Sequence, residues 1–357
     1  MSAIEAFSSV RDPRIERRKL HPLMNVLVMA LGSALAGVTG WDEMAFFAKS
    51  RLKLLEEFLP VPHGAPSADT FRRVFEMIDP RELEAALRQW VASVSRSFQG
   101  EVIAVDGKSL RGAIETAGST TPLHMLHVYA TSQGLLLGQQ RVEGAPGEIA
   151  AIPEVLKRMR IKGAIVTTDA NNCTQAVVAA IREANADYVL ALKGNRRSLH
   201  GDVVGLFEQA EQRGFRGTRV HRSRDKGHGR EEHRIVRTMA WQQAPAKWLD
   251  LQSLVMVERT RTIADESTTE RHYYIASLPP VPETLGRAIR DHWRIENNLH
   301  WVLDVAFDED SRTIRNETSA ENFTVMARLA LMMLKRSPAK LSINLKRKSA
   351  QWDVDYL

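Results

Sequence analysis

The sequence predicts an α/β protein in which an all-helical N-terminal region precedes a mixed α/β core. Helix-start signals recur through residues 1–100, residues 101–200 change to short hydrophobic runs separated by turn residues, and residues 201–280 contain further strand-like runs. With 357 residues, the chain is long enough for two or three domains. Its 44% hydrophobic and 26% charged residues are typical of a globular protein rather than a disordered one.

The N-terminal region is predicted to be helical because it contains a complete helix-start pattern. Asp79 is suited to cap a helix, Pro80 to occupy its first turn, and Glu82 to reach back to the cap. A second helix is predicted over residues 66–78. The basic residues of this region either contact a polyanion or form the solvated surface of a helical bundle, and the sequence leaves both interpretations open.

The strand–helix order of residues 101–200 is that of the ribonuclease-H-like fold. Strands are predicted over 102–106, 123–131, 135–142, 164–168 and 187–192, with helices over 149–160 and 174–184. In that fold the first and fourth strands lie side by side, so their carboxyl ends meet at one edge of the sheet. Residues 201–280 are predicted to form a basic, β-rich insertion in this core.

Two of these strands end on an aspartate, Asp106 after the first and Asp169 after the fourth. Ligands of α/β sheets bind at the carboxyl ends of strands, which places both carboxylates at a candidate site. Hard divalent cations such as Mg²⁺ take oxygen ligands, and carboxylates neutralise their charge. The two aspartates therefore predict part of a two-metal site for phosphoryl transfer.

The third acid is predicted on a long helix that starts near residue 283. Glu296 lies in the middle of a stripe with spacings of four and three, which comprises Leu285, Ile289, His292, Glu296, Leu299 and Leu303. A carboxylate that packs inward is costly unless it is paired or binds a metal. Asp304, about 80° around the helix at about 100° per residue, is the rival. The alternative is a buried salt bridge of Glu296 with His292 or an arginine.

The charge of the chain points to a polyanionic partner. Lysine and arginine total 49 against 43 acidic residues, giving a net charge of +6 and a pI near 9.5. A pI in this range is the electrostatic footprint of a nucleic-acid binder. A basic enzyme with solvated lysines is the alternative.

The single cysteine, Cys173, excludes an intramolecular disulfide and a cysteine-based zinc site, and it fits a reducing cytoplasm. The uncharged stretch at residues 23–40 has features of a membrane anchor. However, it contains Asn25 and Ser33 and barely reaches the roughly 20 residues that span a bilayer. We therefore expect a buried helix there, a cytoplasmic protein and no membrane partner.

Short motifs spread over nearly the whole chain point to one family. They are Pro66-Ser67-Ala68-Asp69-Thr70-Phe71, Ala104-Val105-Asp106-Gly107-Lys108, Thr168-Asp169-Ala170, Leu190-Ala191-Leu192-Lys193-Gly194-Asn195, His228-Gly229-Arg230, His292-Trp293, Ile295-Glu296-Asn297 and Leu299-His300-Trp301-Val302-Leu303-Asp304. With these motifs in this order, the chain resembles the insertion-sequence DDE transposases of the ISAs group, also called H-repeat-associated proteins.

This resemblance implies a helical N-terminal domain (1–100) for DNA binding or assembly, and a ribonuclease-H-like catalytic domain (101–357) interrupted by the β-rich insertion. Carried over residue by residue, Asp106, Asp169 and Glu296 match the acidic triad that holds two Mg²⁺ or Mn²⁺ ions. The implied substrate is double-stranded DNA, both the terminal inverted repeats of the element and the target. A homodimer on DNA and a nucleoid-associated location are further expectations.

The chain departs from a related transposase group at three positions around the glutamate. That group's motif requires Tyr, Arg and Lys where this chain has Ile289, His292 and Leu303, so only Glu296 fits. The roles of the other three motif residues are therefore not transferred. A structure-specific nuclease of the same fold and a catalytically inactive DNA-binding descendant are the alternative functions.

Lysines near the strand ends are the first supporting candidates. Lys108 and Lys193 either contact phosphates near the metals or are ordinary surface lysines. In the insertion, His228 and Arg230 either clamp the scissile strand or belong to an exposed basic loop. The basic stretch at residues 346–348 is expected to be solvated or to face DNA.

Residues around Glu296 are the second set of supporting candidates. His292 is expected to share its helix face and to orient the carboxylate or a phosphate, and Asn297 adjoins it in sequence. Trp293 and Trp301 are expected to be core residues rather than base-stacking residues.

Overall fold

The computed structural model describes residues 1–110, 122–227, 230–263, 266–311, 314 and 316–356, with the backbone alone at residues 18 and 230. It shows a mixed α/β protein built on one nine-stranded sheet. Residues 1–100 are helical: α1 Ala3–Phe7, α2 Leu23–Leu35, α3 Trp41–Ser50, α4 Leu52–Leu55, α5 Ala68–Met77 and α6 Pro80–Val94.

Helices α5 and α6 both begin with a side-chain cap, but the expectation that Glu82 reaches back to the cap of α6 is wrong, because its carboxylate accepts the backbone N–H of Arg11 instead. The Asp79 carboxylate accepts the Arg81 N–H at the start of α6, and the Ser67 hydroxyl accepts the Thr70 N–H at the start of α5. Each cap satisfies a backbone donor that has no partner within its own helix.

The uncharged segment at residues 23–40 forms α2, which packs against other helices of the protein. Within the described ranges, no helix combines the length and the apolar character needed to cross a bilayer.

The first five strands agree closely with the predicted ones. They are β1 Val102–Leu110, β2 Leu123–Ala130, β3 Leu135–Val142, β4 Ile165–Thr168 and β5 Asp187–Leu192, with helices α7 Gly144–Leu156 and α8 Gln175–Glu183 between them. β1 is antiparallel to β2 and parallel to β4. The prediction that the first and fourth strands are neighbours is therefore confirmed. α7 begins and ends earlier than the predicted 149–160.

The insertion is not β-rich from its start, contrary to the prediction for residues 201–280. Its first residues belong to α9 Arg197–Gln212, and the strands follow as β6 Arg219–Gly227, β7 Arg230–Ala240, β8 Ser253–Ile263 and β9 Glu266–Ala276. The strand order is β3-β2-β1-β4-β5-β9-β8-β7-β6. Because β9 pairs with β5, the inserted strands extend the core sheet instead of forming a separate one.

The single long helix expected after residue 282 is interrupted. It divides into α10 Pro282–His292, a π-helical turn at Glu296–His300 and α11 Trp301–Phe307, and the chain then continues as α12 Glu317–Arg336 and α13 Ile343–Trp352. A π-helical turn adds one residue to the turn and changes the direction of the side chains that follow.

α12 joins the N-terminal helices to the sheet. It packs against α2, α5 and α6 and also contacts β3. Asn322 of α12 is fully buried, and its amide donates to the carbonyls of Phe75 and Ile78 at the end of α5, both at 2.9 Å. The helical region and the sheet therefore share one continuous hydrophobic core.

The basic stretch at residues 346–348 is largely buried, so the expectation that it is solvated or faces DNA is wrong for two of its three residues. The Lys346 ammonium donates to the carbonyls of Leu334 and Ser337 near the end of α12. Arg347 is also buried, and its guanidinium donates to the Ala34 carbonyl of α2. Both side chains satisfy helix-end carbonyls that lack partners within their helices.

Candidate active site

The two aspartates lie where β1 and β4 part. Parallel pairing between these strands ends at Val105 and Thr168, and Asp169 follows directly as β4 leaves the sheet. β1 continues beyond Asp106 to Leu110, so Asp106 lies within the strand and not at its end as predicted. Both aspartates line one cavity of about 390 Å³, which opens where the parallel pairing stops.

Glu296 reaches the same cavity from the first residue of the π-helical turn. The expectation that it packs inward is wrong, because its side chain is 53% exposed. Leu285, Leu299 and Leu303 of the predicted stripe are buried as expected. The interruption of the helix turns the glutamate towards the cleft while its apolar neighbours remain in the core.

The ligand atoms of Asp106, Glu296 and His300 lie within 4.8 Å of one another. Among the described residues, this is the only such group of three or more His, Cys, Asp or Glu side chains close enough to hold one metal ion. Asp169 lines the cavity but stands outside this group.

The rival third acid, Asp304, is engaged elsewhere. The Lys108 ammonium lies 2.6 Å from one oxygen of Asp304 and 2.8 Å from the other. Lys108 is largely buried and is therefore neither an ordinary surface lysine nor directed at a phosphate. The ion pair neutralises Asp304 and favours Glu296 as the third acid.

Of the other predicted supporting residues, His292 contacts β4, whereas Lys193 and Asn297 are exposed. His292 shares a hydrogen bond of 3.0 Å with the Thr167 hydroxyl of β4, so it does not orient the Glu296 carboxylate. Lys193 is exposed at the cavity wall, and Asn297 is exposed beside Glu296. His228 lies outside the described residues. The backbone of residue 230 begins β7, and its side chain likewise lies outside the description.

The expectation that Trp293 and Trp301 are core residues is wrong. Their side chains are 59% and 58% exposed, on either side of the π-helical turn. Trp293 also lines the cavity that contains the three acids.

Two buried hydrogen-bond networks at the site were not predicted from the sequence. The first holds the segment that follows Asp169. Buried Glu148 of α7 accepts from His124 of β2 and from the Asn172 amide, both at 2.7 Å. The Asn172 backbone N–H in turn donates to Asp169 at 3.1 Å. Gly107 leaves room for this carboxylate, since a Cβ at position 107 would lie 2.0 Å from Glu148 Oε1.

The second network starts at His300, which is buried. Its Nδ1 is 3.0 Å from Glu296 Oε2 and 3.9 Å from Asp106 Oδ2. Its Nε2 is 3.0 Å from Nδ1 of His127, the cross-strand neighbour of Asp106 on β2. The sequence contains one signal of this contact, because residues four apart on a helix are neighbours and His300 follows Glu296 by four.

Burial and neighbouring charges shift the pKa values of the side chains at this site. Burial raises the pKa of Asp106 to about 6, and the neighbouring carboxylates of Asp169 and Glu148 add to this. Burial also raises the pKa of Asp169. The hydrogen bond from His300 lowers the pKa of Glu296. Burial lowers the pKa of His292 to about 4, so that this imidazole is neutral at pH 7.

The raised pKa of Asp106 predicts that Asp106→Asn stabilises the metal-free protein. In the folded state Asp106 has a pKa of about 6, against 3.8 for the free side chain. Folding therefore favours the protonated carboxyl group. The ionised Asp106 lowers the free energy of unfolding of wild type by nothing below pH 4, by an increasing amount between pH 4 and 6, and by the full amount above pH 6. At about 1.4 kcal/mol per pKa unit, the gain at pH 7.5 is up to about 3 kcal/mol.

Urea unfolding in EDTA at pH 5 and pH 7.5 measures this gain. We expect the variant to exceed wild type in free energy of unfolding by more at pH 7.5 than at pH 5. An equal difference at both values would contradict a charge penalty at Asp106.

Two aspartates from the sheet and a glutamate from the helical segment line one cavity, which is the arrangement expected of carboxylate-centred phosphoryl-transfer proteins. Comparison with known proteins specifies the family. Residues 97–333 match the family described as Transposase DDE domain, and residues 4–91 match the region described as DDE_Tnp_1-associated. The chain belongs to the DDE transposase family. It is a DNA transposase, and this family uses divalent metal ions.

Relatives extend over nearly the whole chain. "Putative transposase YncI" of Escherichia coli O157:H7 is 30% identical over 100% of this chain and 93% of its own length. "H repeat-associated putative transposase YhhI" of E. coli K12 is 31% identical, covering 99% of this chain and 96% of its own. The predicted resemblance to the H-repeat-associated group is confirmed.

A cryo-EM structure of the piggyBac transposase synaptic complex with hairpin DNA aligns with 98% of this chain and 75% of that one. The TM-score of this alignment is 0.45, and the sequence identity is 10%.

Proposed function

We propose that this transposase cleaves a phosphodiester bond at the ends of its insertion sequence and joins the freed 3′ ends to target DNA. Asp106, Asp169 and Glu296 are the metal-binding acids of this reaction. The observation that carries the proposal is that three distant parts of the chain bring these three carboxylates into one cavity, while the competing Asp304 is paired with Lys108.

The architecture supports a ribonuclease-H-like catalytic domain over residues 101–357. Three antiparallel strands, followed by β4 and β5 in parallel on the far side of β1, are the arrangement expected for that fold. The helical region at residues 1–100 serves DNA binding and assembly, and it is fixed to the catalytic part through α12. Since two element ends must be held together for transposition, the protein acts as a homodimer on DNA.

The residues fit two Mg²⁺ or Mn²⁺ ions. The donors are carboxylate oxygens, which these hard cations prefer. Burial, with the neighbouring carboxylates of Asp169 and Glu148, raises the pKa of Asp106, and a bound cation would offset the cost of its charge. When bound, the ions supply activation of a water nucleophile and stabilisation of the leaving 3′ oxygen. Asp106, Asp169 and Glu296 would hold these ions.

The remaining cavity wall binds and positions the DNA strand. Lys193, Arg234, Arg259 and Arg290 line the same cavity as the acids. Arg259 and Arg290 are held by Glu270 at 2.7 Å and Asp225 at 2.6 Å, which fixes their direction without removing their capacity for phosphate. Phosphate contacts of this kind provide most of the DNA affinity and do not depend on the catalytic acids.

The test is strand cleavage and joining on DNA that carries the gene's own flanking ends, comparing Glu296→Gln with Asp304→Asn in Mg²⁺ or Mn²⁺. We expect Glu296→Gln to lower cleavage at least about 1000-fold, because a lost metal ligand costs several kcal/mol at about 1.4 kcal/mol per tenfold. Asp304→Asn retains cleavage. Removal of the metal by EDTA abolishes the wild-type reaction.

DNA binding, measured by mobility shift at fixed salt, is the control and stays unchanged in both variants. The reverse pattern, with cleavage lost in Asp304→Asn alone, would move the third ligand to Asp304. Cleavage without joining would indicate a structure-specific nuclease. DNA binding without cleavage in wild type would indicate an inactive relative.

A further inference from the structure

A continuous buried polar chain leads from the metal-binding acids into the protein interior. After His300 and His127 it reaches Arg328 of α12, whose Nη2 lies 3.4 Å from His127 Nε2. The Arg328 guanidinium is completely buried and forms a salt bridge with Glu309. The chain therefore consists of His300 in the π-helical turn, His127 of β2, Arg328 of α12 and Glu309 in the segment before α12. It reaches the cavity at His300.

The guanidinium fixes the direction of every hydrogen bond in this chain. Arginine carries only donors, so His127 Nε2 must accept and can carry no proton. Burial and Arg328 both lower the pKa of His127 well below its usual value, which agrees with a neutral ring. A neutral imidazole without a proton on Nε2 has it on Nδ1. His127 therefore donates from Nδ1 to its neighbour.

The direction of the His127–His300 hydrogen bond fixes the proton of His300 in turn. Because His127 donates to His300 Nε2, that nitrogen presents its lone pair and carries no proton, so the proton of the His300 ring resides on Nδ1. His300 Nδ1 then donates towards Glu296 Oε2 at 3.0 Å, with Asp106 Oδ2 the next acceptor at 3.9 Å. The nitrogen that faces the acids is a donor, and it has no lone pair for a metal ion.

We propose that His300 is a positioning residue which holds Glu296 and Asp106 through an Nδ1–H fixed by His127 and Arg328, and that it is not a metal ligand. This inference rests on the proposed function of these acids as the metal ligands. The metal ligands are then carboxylate oxygens without a histidine nitrogen, and such a site suits Mg²⁺ or Mn²⁺ better than zinc. A support of this kind orients ligands before the metal arrives.

The tautomers of His300 and His127 can be measured without an activity assay. In ¹⁵N-histidine-labelled protein, long-range proton–nitrogen NMR distinguishes a ring protonated on Nδ1 from one protonated on Nε2. The His300→Asn and His127→Asn variants assign the two rings by loss of their signals. We expect both rings to carry the proton on Nδ1. A proton on His300 Nε2, or on His127 Nε2, would overturn the proposal.

A second spectroscopic measurement addresses the ligand directly. With Mn²⁺ added to the full-length protein, pulsed electron paramagnetic resonance detects a nitrogen bonded to the ion. We expect no directly bonded histidine nitrogen. A coupling that disappears in His300→Asn would establish His300 as a ligand and refute the proposal.

The functional measurement compares His300→Leu with His300→Asn. Leucine removes the donor, whereas the asparagine amide can occupy the place of Nδ1 and donate to Glu296. We expect His300→Leu to raise the Mn²⁺ concentration for half-maximal cleavage by about 10- to 100-fold, because a supporting contact of the metal ligands is lost. In His300→Asn this concentration should return close to that of wild type. Thermal unfolding confirms that both variants fold.

Two outcomes of the comparison would contradict positioning. In one, folded His300→Asn is as defective as His300→Leu. In the other, His300→Leu has the metal dependence of wild type. Should wild type cleave no DNA, the proposed function fails separately, and the NMR tautomers together with Mn²⁺ titration of the two variants still decide the role of His300.

Discussion

Asp169→Asn is expected to lower DNA cleavage at least about 1000-fold, because the variant loses one of the charges that hold the metal ions. The substitution is mild for the fold. Asparagine keeps the carbonyl oxygen that can accept the Asn172 N–H, so the turn after β4 survives. Burial raises the pKa of Asp169, so removing its charge does not destabilise the metal-free protein.

The measurement is single-turnover cleavage of end-containing DNA in saturating Mg²⁺, with circular dichroism and DNA binding as controls. Asp250→Asn is the matched variant. Asp250 is a half-exposed carboxylate paired with Arg182 and takes no part in lining the cavity. It should cleave like wild type. An Asp169→Asn protein that retains wild-type cleavage would refute the role of Asp169.

Gly107→Ala is expected to reduce both stability and cleavage. The new Cβ would lie 2.0 Å from Glu148 Oε1 and 2.5 Å from His124 Nε2. Glu148 is buried and is held by two hydrogen bonds, from His124 and Asn172, so it cannot turn aside freely. Overpacking costs about 1–3 kcal/mol. A displaced Glu148 would leave buried polar groups without partners, which adds about 1–3 kcal/mol.

Urea unfolding of Gly107→Ala beside Gly201→Ala measures this effect. Gly201 lies on the exposed face of α9 with no atom near its would-be Cβ, so alanine there should stabilise by about 0.5–1 kcal/mol. Cleavage should fall in Gly107→Ala, because the network behind Asp169 is displaced, and remain unchanged in Gly201→Ala. A Gly107→Ala protein as stable and active as wild type would show that Glu148 is free to move.

The main strands and the two aspartates could be predicted because their signals are local. Short hydrophobic runs bounded by turn residues determined β1, β4 and β5, and the strand order placed Asp106 and Asp169 near one another. The caps at Ser67 and Asp79 were equally local, since each side chain accepts from a backbone group two or three residues away. The family motifs, read in order, indicated a DDE transposase, and this was confirmed.

Glu296 was selected from the sequence by a burial argument that proved wrong. Helical periodicity assumes one regular helix, whereas the chain breaks near Trp293 and forms a π-helical turn at Glu296–His300. The same irregularity exposes Trp293 and Trp301, which were expected in the core. No propensity of single residues predicts such a break, because it depends on the packing of α10 and α11 against the rest of the protein.

By itself, the sequence determined the α/β class, the adjacency of the first and fourth strands, the basic character and the pair of aspartates, since these depend on spacing along the chain. Only the tertiary structure decided which groups are paired. Lys108 and Asp304 are 196 residues apart, and His127 and Arg328 are 201 apart. Because burial strengthens such pairs and makes unpaired charges costly, folding paired Asp304 with Lys108 and brought His300 within hydrogen-bond distance of Glu296.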